Sequence, residues 1–160
     1  MIILGIDPGL RVCGYGCLEI NGVEEKLIEA GVFCTDSNLP IEKRLNRIAE
    51  DTSLLLKRFR PDIVAVEELY SHYAHPKTAI LMGHGRGVIL QKCAEAKIEV
   101  RSFSATRTKK SITGNGRASK EQVQKTIQTI LSLSDIPEPN DVADAIAIAL
   151  CCANSRIAVV

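Results

Sequence analysis

Two short apolar runs, each closed by an acid, constrain this chain more than any other feature. Residues 2–6 form a run containing β-branched side chains that stops at Asp7 and the turn-forming pair Pro8-Gly9, and residues 63–66 form another that stops at Glu67-Glu68. Runs this short, apolar throughout and bounded by turn signals, are the pattern of strands covered on both faces. The stretches 12–20 and 26–34 read as two further strands separated by the turn signal Asn21-Gly22, so the chain opens with a three-stranded antiparallel meander. Pro40 then starts a segment in which Ile41, Leu45, Ile48, Thr52, Leu55 and Phe59 recur at spacings of three and four, an amphipathic helix stopped by Pro61. With a helix between them, the strand at 63–66 joins the meander most economically by a parallel crossover.

A second helix is expected at about 76–96, followed by a more polar strand at 98–103 suited to a sheet edge. Residues 104–119 are mostly polar and contain Gly114 and Gly116, which predicts a mobile basic loop. Ser119, with Gln122 three positions later, has the form of a capping box and starts a helix through 133. Pro137 and Pro139 interrupt, and Asn140 is a suitable N-cap for a last helix over 141–154. These elements add up to an α/β chain with a five-stranded mixed sheet flanked by helices. With 160 residues, 46% of them hydrophobic, the chain suffices for one core but hardly for two, so 1–160 is read as a single domain.

No apolar run approaches the ~20 residues of a membrane span and no leader pattern is visible, so a cytoplasmic protein without membrane attachment is expected. Cys13, Cys17, Cys34, Cys93, Cys151 and Cys152 contain no Cys-x-x-Cys pair and lie in apolar stretches, the pattern of buried, reduced thiols. The formal charge of +1 conceals an asymmetry: residues 107–125 carry six basic side chains against one acid, +5 in all, leaving −4 elsewhere. That window either lines a nucleic-acid surface or is simply a solvated face.

The strand order allows the ends carrying Asp7 and Glu67 to be neighbours in mid-sheet, and in open α/β sheets ligands bind beyond the carboxyl ends of strands. Asp141 and Asp144, three apart, share a helix face. Each acid has an ordinary structural account: Asp7 bonding turn amides, Glu67 paired with a lysine, and the two aspartates complementing a helix dipole. Asp144, however, lies within Val142-Ala143-Asp144-Ala145-Ile146, an environment that a merely solubilising acid avoids. If all four converge, their repulsion requires divalent cations, and hard oxygen donors suit Mg²⁺ or Mn²⁺. Two such ions ~3.5–4 Å apart support phosphodiester hydrolysis.

Ile6-Asp7-Pro8-Gly9 with Gly14-Tyr15-Gly16, Ala65-Val66-Glu67 and Asp141-Val142-Ala143-Asp144-Ala145 closely resembles the RuvC family of bacterial Holliday junction resolvases. The resemblance spans nearly the whole chain and includes Gly83-His84-Gly85-Arg86-Gly87 and the eight residues from Lys109 to Gly116. It implies an RNase H-like fold, a two-fold symmetric homodimer, symmetric nicking of four-way DNA junctions in recombination and repair, and collaboration with the RuvA and RuvB branch-migration proteins. It also implies Asp7, Glu67, Asp141 and Asp144 as catalytic metal ligands for Mg²⁺, replaceable by Mn²⁺, with two ions per site. Some family members have histidine where this chain has Asp144. Lys109 and Lys120 fall on positions that contact the DNA backbone, with Lys110 and Arg117 in the same basic segment, and Tyr70 falls on an aromatic position that engages bases near the crossover.

The glycines at 83, 85 and 87 lack the Gly-Lys-Ser/Thr of a phosphate loop; within a helix they point instead to close approach of another helix, which the resemblance implies is the dimer partner's. His72, His75 and His84 have no convincing ligand spacing and read as surface residues. An actin-like or sugar-kinase-like nucleotide-binding protein shares the aspartate-x-glycine hairpin but needs two domains. A non-catalytic junction-binding module would not need four acids, and a hybrid-cleaving RNase H-like enzyme fits the segment from Lys109 to Gly116 less well.

Overall fold

The computed structural model describes residues 1–69 and 76–157. Strands β1 (Ile2–Asp7), β2 (Val12–Asn21) and β3 (Glu24–Cys34) form the expected antiparallel meander, and β4 (Ile63–Glu67) and β5 (Glu99–Phe103) add to it in parallel. The order across the sheet is β3-β2-β1-β4-β5, which puts β1 at the centre with β4 beside it. Five helices cover the sheet: α1 (Ile41–Phe59), α2 (Pro76–Glu95), α3 (Ala105–Thr113), α4 (Lys120–Ile130) and α5 (Asn140–Ile157).

Alternation along β1 explains its unbroken apolar run. Ile3 joins Ala65, Ile127, Ile146 and Leu150 in the core beneath α4 and α5, while Leu4 and Ile6 join Ile48, Leu55, Val64 and Ile89 beneath α1 and α2. Both faces are dry, so neither tolerates a polar side chain until the strand reaches Asp7 at its end.

Helix α5 lies unusually close to the sheet, and glycines make that possible. A β-carbon on Gly5 would stand 2.1 Å from the carbonyl oxygen of Ala145, one on Gly16 would stand 2.7 Å from Ile146 Cγ1, and one on Gly14 would stand 1.9 Å from the carbonyl oxygen of Asp141. The helix backbone rests where side chains of β1 and β2 would otherwise project.

Three expectations need correction. The segment 104–119 is not a mobile loop: Ser104 accepts a bond from the Arg107 N–H, α3 runs for nine residues, and Gly114, in the left-handed region at φ 76°, ends it. Thr108 and Ile112, four apart, are buried, and α3 packs on α5; two inward positions sufficed where the sequence offered no longer periodicity. Helix α4 starts at the foreseen capping box of Ser119 and Gln122 but stops at Ile130 rather than 133, and α5 includes Asn140 and extends to Ile157. Cys34 is exposed because it ends the edge strand β3, whereas the other five thiols are buried; none of the six forms a disulfide. Gly85 is closely approached by another helix, as expected: a β-carbon there would stand 3.4 Å from Ile48 Cδ1 of α1, while one on Gly87 would meet nothing of this chain within 4 Å.

Candidate active site

β1 and β4 run parallel with Ile6 opposite Val66, so Asp7 and Glu67 leave the sheet side by side at its carboxyl edge. α5 crosses this edge. Asp141 stands in its first turn, directly over Gly14, and Asp144 follows one turn later. Three elements far apart in sequence thereby bring four carboxylates into one electrostatic neighbourhood.

The acids perturb one another strongly. Burial, reinforced by Glu67, Asp144 and Asp141, pushes the Asp7 carboxyl from 3.8 up to about 8. Burial and Asp144 push Glu67 from 4.5 up to about 7, against the pull of Lys109 and Lys120. Asp144 is likewise raised by burial and by Asp141, with Lys120 and Lys109 opposing. Lys120 Nζ stands 3.9 Å from Asp144 Oδ2, the nearest cation contact of the cluster.

Four carboxylates without histidine or thiol among them are a donor set for a hard divalent ion. Among the described residues, no three acidic, histidine or cysteine side chains close tightly enough around one point to hold an ion. Burial foremost raises Asp7, Glu67 and Asp144, and a bound cation would favour their charged forms. In donor chemistry the four acids fit a divalent metal, and they are the residues that would hold it.

Of the basic residues expected at the site, Lys109 on α3 and Lys120 at the start of α4 both act on the acid cluster. Lys109 lies on a helix rather than in a loop. Lys110 and Arg117 are exposed on the same side of the sequence, and Arg107 stacks its guanidinium 5.0 Å above the Phe103 ring. His84 is exposed on α2. Tyr70, His72 and His75 lie outside the described residues.

Two structural supports escaped the sequence reading. Gly5 of β1 and Gly14 and Gly16 of β2 set the height of α5, and a signal existed in the spacing of two between Gly14 and Gly16, which places both on one face. Arg44 of α1 donates from Nε to Thr35 Oγ1 at 3.0 Å and from Nη2 to the Leu10 carbonyl at 3.1 Å, bracing the turn that follows Asp7. Nothing local in the sequence marks that long-range contact.

A mixed sheet of this order, flanked by these helices, is an RNase H-like fold, here with four acids clustered at the ends of β1 and β4 and on α5. The chain belongs to the RuvC family: the family described as crossover junction endodeoxyribonuclease RuvC matches residues 3–152. It is 42% identical over 151 residues to the crossover junction endodeoxyribonuclease RuvC of Desulforamulus reducens, covering 94% of this chain and 92% of that one. The structure of Thermus thermophilus RuvC superposes with a TM-score of 0.89 at 33% identity, covering 99% of this chain and 97% of the other. A structure of T. thermophilus RuvC in complex with Holliday junction substrate matches with the same TM-score at 32% identity, over 98% and 96% of the two chains.

Proposed function

We propose that this protein is a crossover junction endonuclease that resolves four-way DNA junctions by metal-dependent hydrolysis of opposed phosphodiesters. The observation that carries the reading is the convergence of Asp7, Glu67, Asp141 and Asp144 beside Lys109 and Lys120, in a chain that belongs to a resolvase family.

Asp7, Glu67, Asp141 and Asp144 are the ligands, for two Mg²⁺ ions that Mn²⁺ can replace. When bound, the ions supply the charge that activates water and stabilises the leaving 3′ oxygen. The protein's own part is positioning. Asp7 and Glu67 are fixed at neighbouring strand ends, and the glycine seat fixes Asp141 and Asp144 above them. Lys109 and Lys120 offer charge to the phosphate backbone, with Lys110 and Arg117 extending the same basic segment. Lys120, only 3.9 Å from Asp144, is close enough to hold a phosphate against the carboxylates. Tyr70, three residues beyond Glu67, stacks on bases at the opened crossover.

A symmetric junction suits a symmetric enzyme, so the working form is a homodimer of single 1–160 nuclease domains, in the cytoplasm, collaborating with RuvA and RuvB. The test is a gel assay on an immobile four-way junction and a matched linear duplex, with and without Mg²⁺. Paired, religatable nicks on the junction alone, dependent on the ion, support the reading. Binding without cleavage under any divalent ion, or equal cutting of both substrates, overturns it.

A further inference from the structure

Glu67 is held by its main chain as well as by its place in β4. Arg86 of α2 donates from Nε to the Glu67 carbonyl oxygen at 2.9 Å and from Nη2 to Ser102 Oγ at 2.8 Å. One planar guanidinium thereby ties the last residue of β4 to β5 and to a helix above both. The next residue is anchored too, since the Glu68 N–H donates to the Phe103 carbonyl at 2.9 Å. The neighbouring Gly85 lies beside α1 and the turn after Asp7: a β-carbon there would stand 3.4 Å from Ile48 Cδ1 and 3.9 Å from the Gly9 carbonyl oxygen.

The charges that draw the Glu67 carboxyl down are those of Lys109 and Lys120. Arg86 meets the backbone instead, so its influence runs through direction. A strand end is where a ladder frays, and a glutamate has three rotatable side-chain bonds; the peptide plane of Glu67 sets where its Cα–Cβ bond points. A displacement of about 1 Å at such a group can reduce a reaction a hundredfold. We propose that Arg86 is a positioning residue that aims Glu67 into the carboxylate cluster by clamping its carbonyl to α2 and β5. This rests on the reading of Glu67 as a metal ligand.

Lysine keeps the charge but cannot donate in two fixed directions from one plane. The geometry therefore makes the fork, rather than the charge, the essential property, and Arg86→Lys should behave more like Arg86→Ala than like the native protein. Ser102→Ala removes only the far anchor and leaves the Glu67 contact under weaker restraint.

The experiment is calorimetric titration of Mn²⁺ into metal-free native protein and into Glu67→Gln, Arg86→Ala, Arg86→Lys and Ser102→Ala. Thermal unfolding and junction binding in metal-free buffer are recorded for each. Weakening of ion affinity by about tenfold or more in both Arg86 variants, as outer supports of metal ligands typically show, is expected, with a smaller loss in Ser102→Ala. Junction affinity should stay within about twofold, since the contacts involved are independent. Folded Arg86 variants with native ion affinity overturn the proposal while a defective Glu67→Gln leaves the ligand reading intact. Native affinity in Glu67→Gln overturns both. Should the Arg86 variants fail to fold, Ser102→Ala decides, and unchanged ion affinity there rejects the clamp.

Discussion

Gly14 and Asp141 occupy the same space in turn: a single methyl group on Gly14 would lie 1.9 Å from the Asp141 carbonyl oxygen and 2.4 Å from its carbonyl carbon. The height of α5 above the sheet, and with it the reach of two carboxylates, is set by a hydrogen atom.

Gly14→Ala should therefore lift the first turn of α5. Cleavage should drop about a hundredfold, and overpacking should destabilise the fold by about 1–3 kcal/mol. Junction cleavage rates read alongside thermal unfolding check this. Native cleavage in the variant would show that α5 does not position the acids.

Asp7 and Glu67 make metal-free stability depend on pH in an unusual direction. Both carboxyls are raised by folding, to about 8 and about 7. Between their ordinary values and these, the folded protein binds more protons than the unfolded chain, so stability falls as pH rises through that window. In chelator, the unfolding midpoint should decline between about pH 5 and about pH 9, by the equivalent of a few kcal/mol in all. Saturating Mg²⁺ should flatten the profile. A midpoint that rises over this range in chelator would refute the cluster's electrostatics.

Asp7→Asn removes one of the mutually repelling charges while keeping its shape. Cleavage should vanish, junction binding should persist, and the variant should be more stable than the native chain in chelator at pH 8. A variant that cuts normally removes Asp7 from the ligand set.

Lys109→Ala deletes a charge on the rigid helix α3. Junction affinity should weaken and the slope of log affinity against log salt should shrink by about one. Titrations at several salt concentrations read both quantities, and an unchanged slope takes Lys109 off the phosphate contacts.

Ser119→Ala breaks a reciprocal cap in which Gln122 N–H donates to Ser119 Oγ at 3.2 Å and Ser119 N–H donates to Gln122 Oε1 at 2.8 Å. The loss should be about 1 kcal/mol, measurable by denaturant unfolding, with no effect if the helix start is held by packing alone.

The parts of this fold visible in sequence are those with a local physical signature. The runs closing at Asp7 and Glu67 gave both central strands, because burial on two faces leaves an uninterrupted apolar stretch. The spacing of Asp141 and Asp144 placed both on one helix face. Helix α3 was hidden because its inward surface is only Thr108 and Ile112, and its stability comes from α5, distant in the chain. Arg86 and Arg44 were invisible as supports because both bind main-chain carbonyls, which carry no residue identity to read. The glycine seat lay between these extremes: Gly14 and Gly16 stood out as a motif, but their purpose appears only when α5 is in place.

The four clustered carboxylates are distributed over β1, β4 and α5. Most of the described elements lie between Asp7 and Asp144 in the chain. A chain that lacks α5 keeps the glycine seat but only Asp7 and Glu67 of the four carboxylates. Folding, not any local stretch of chain, assembles the cluster, so a cut that releases α5 dismantles it.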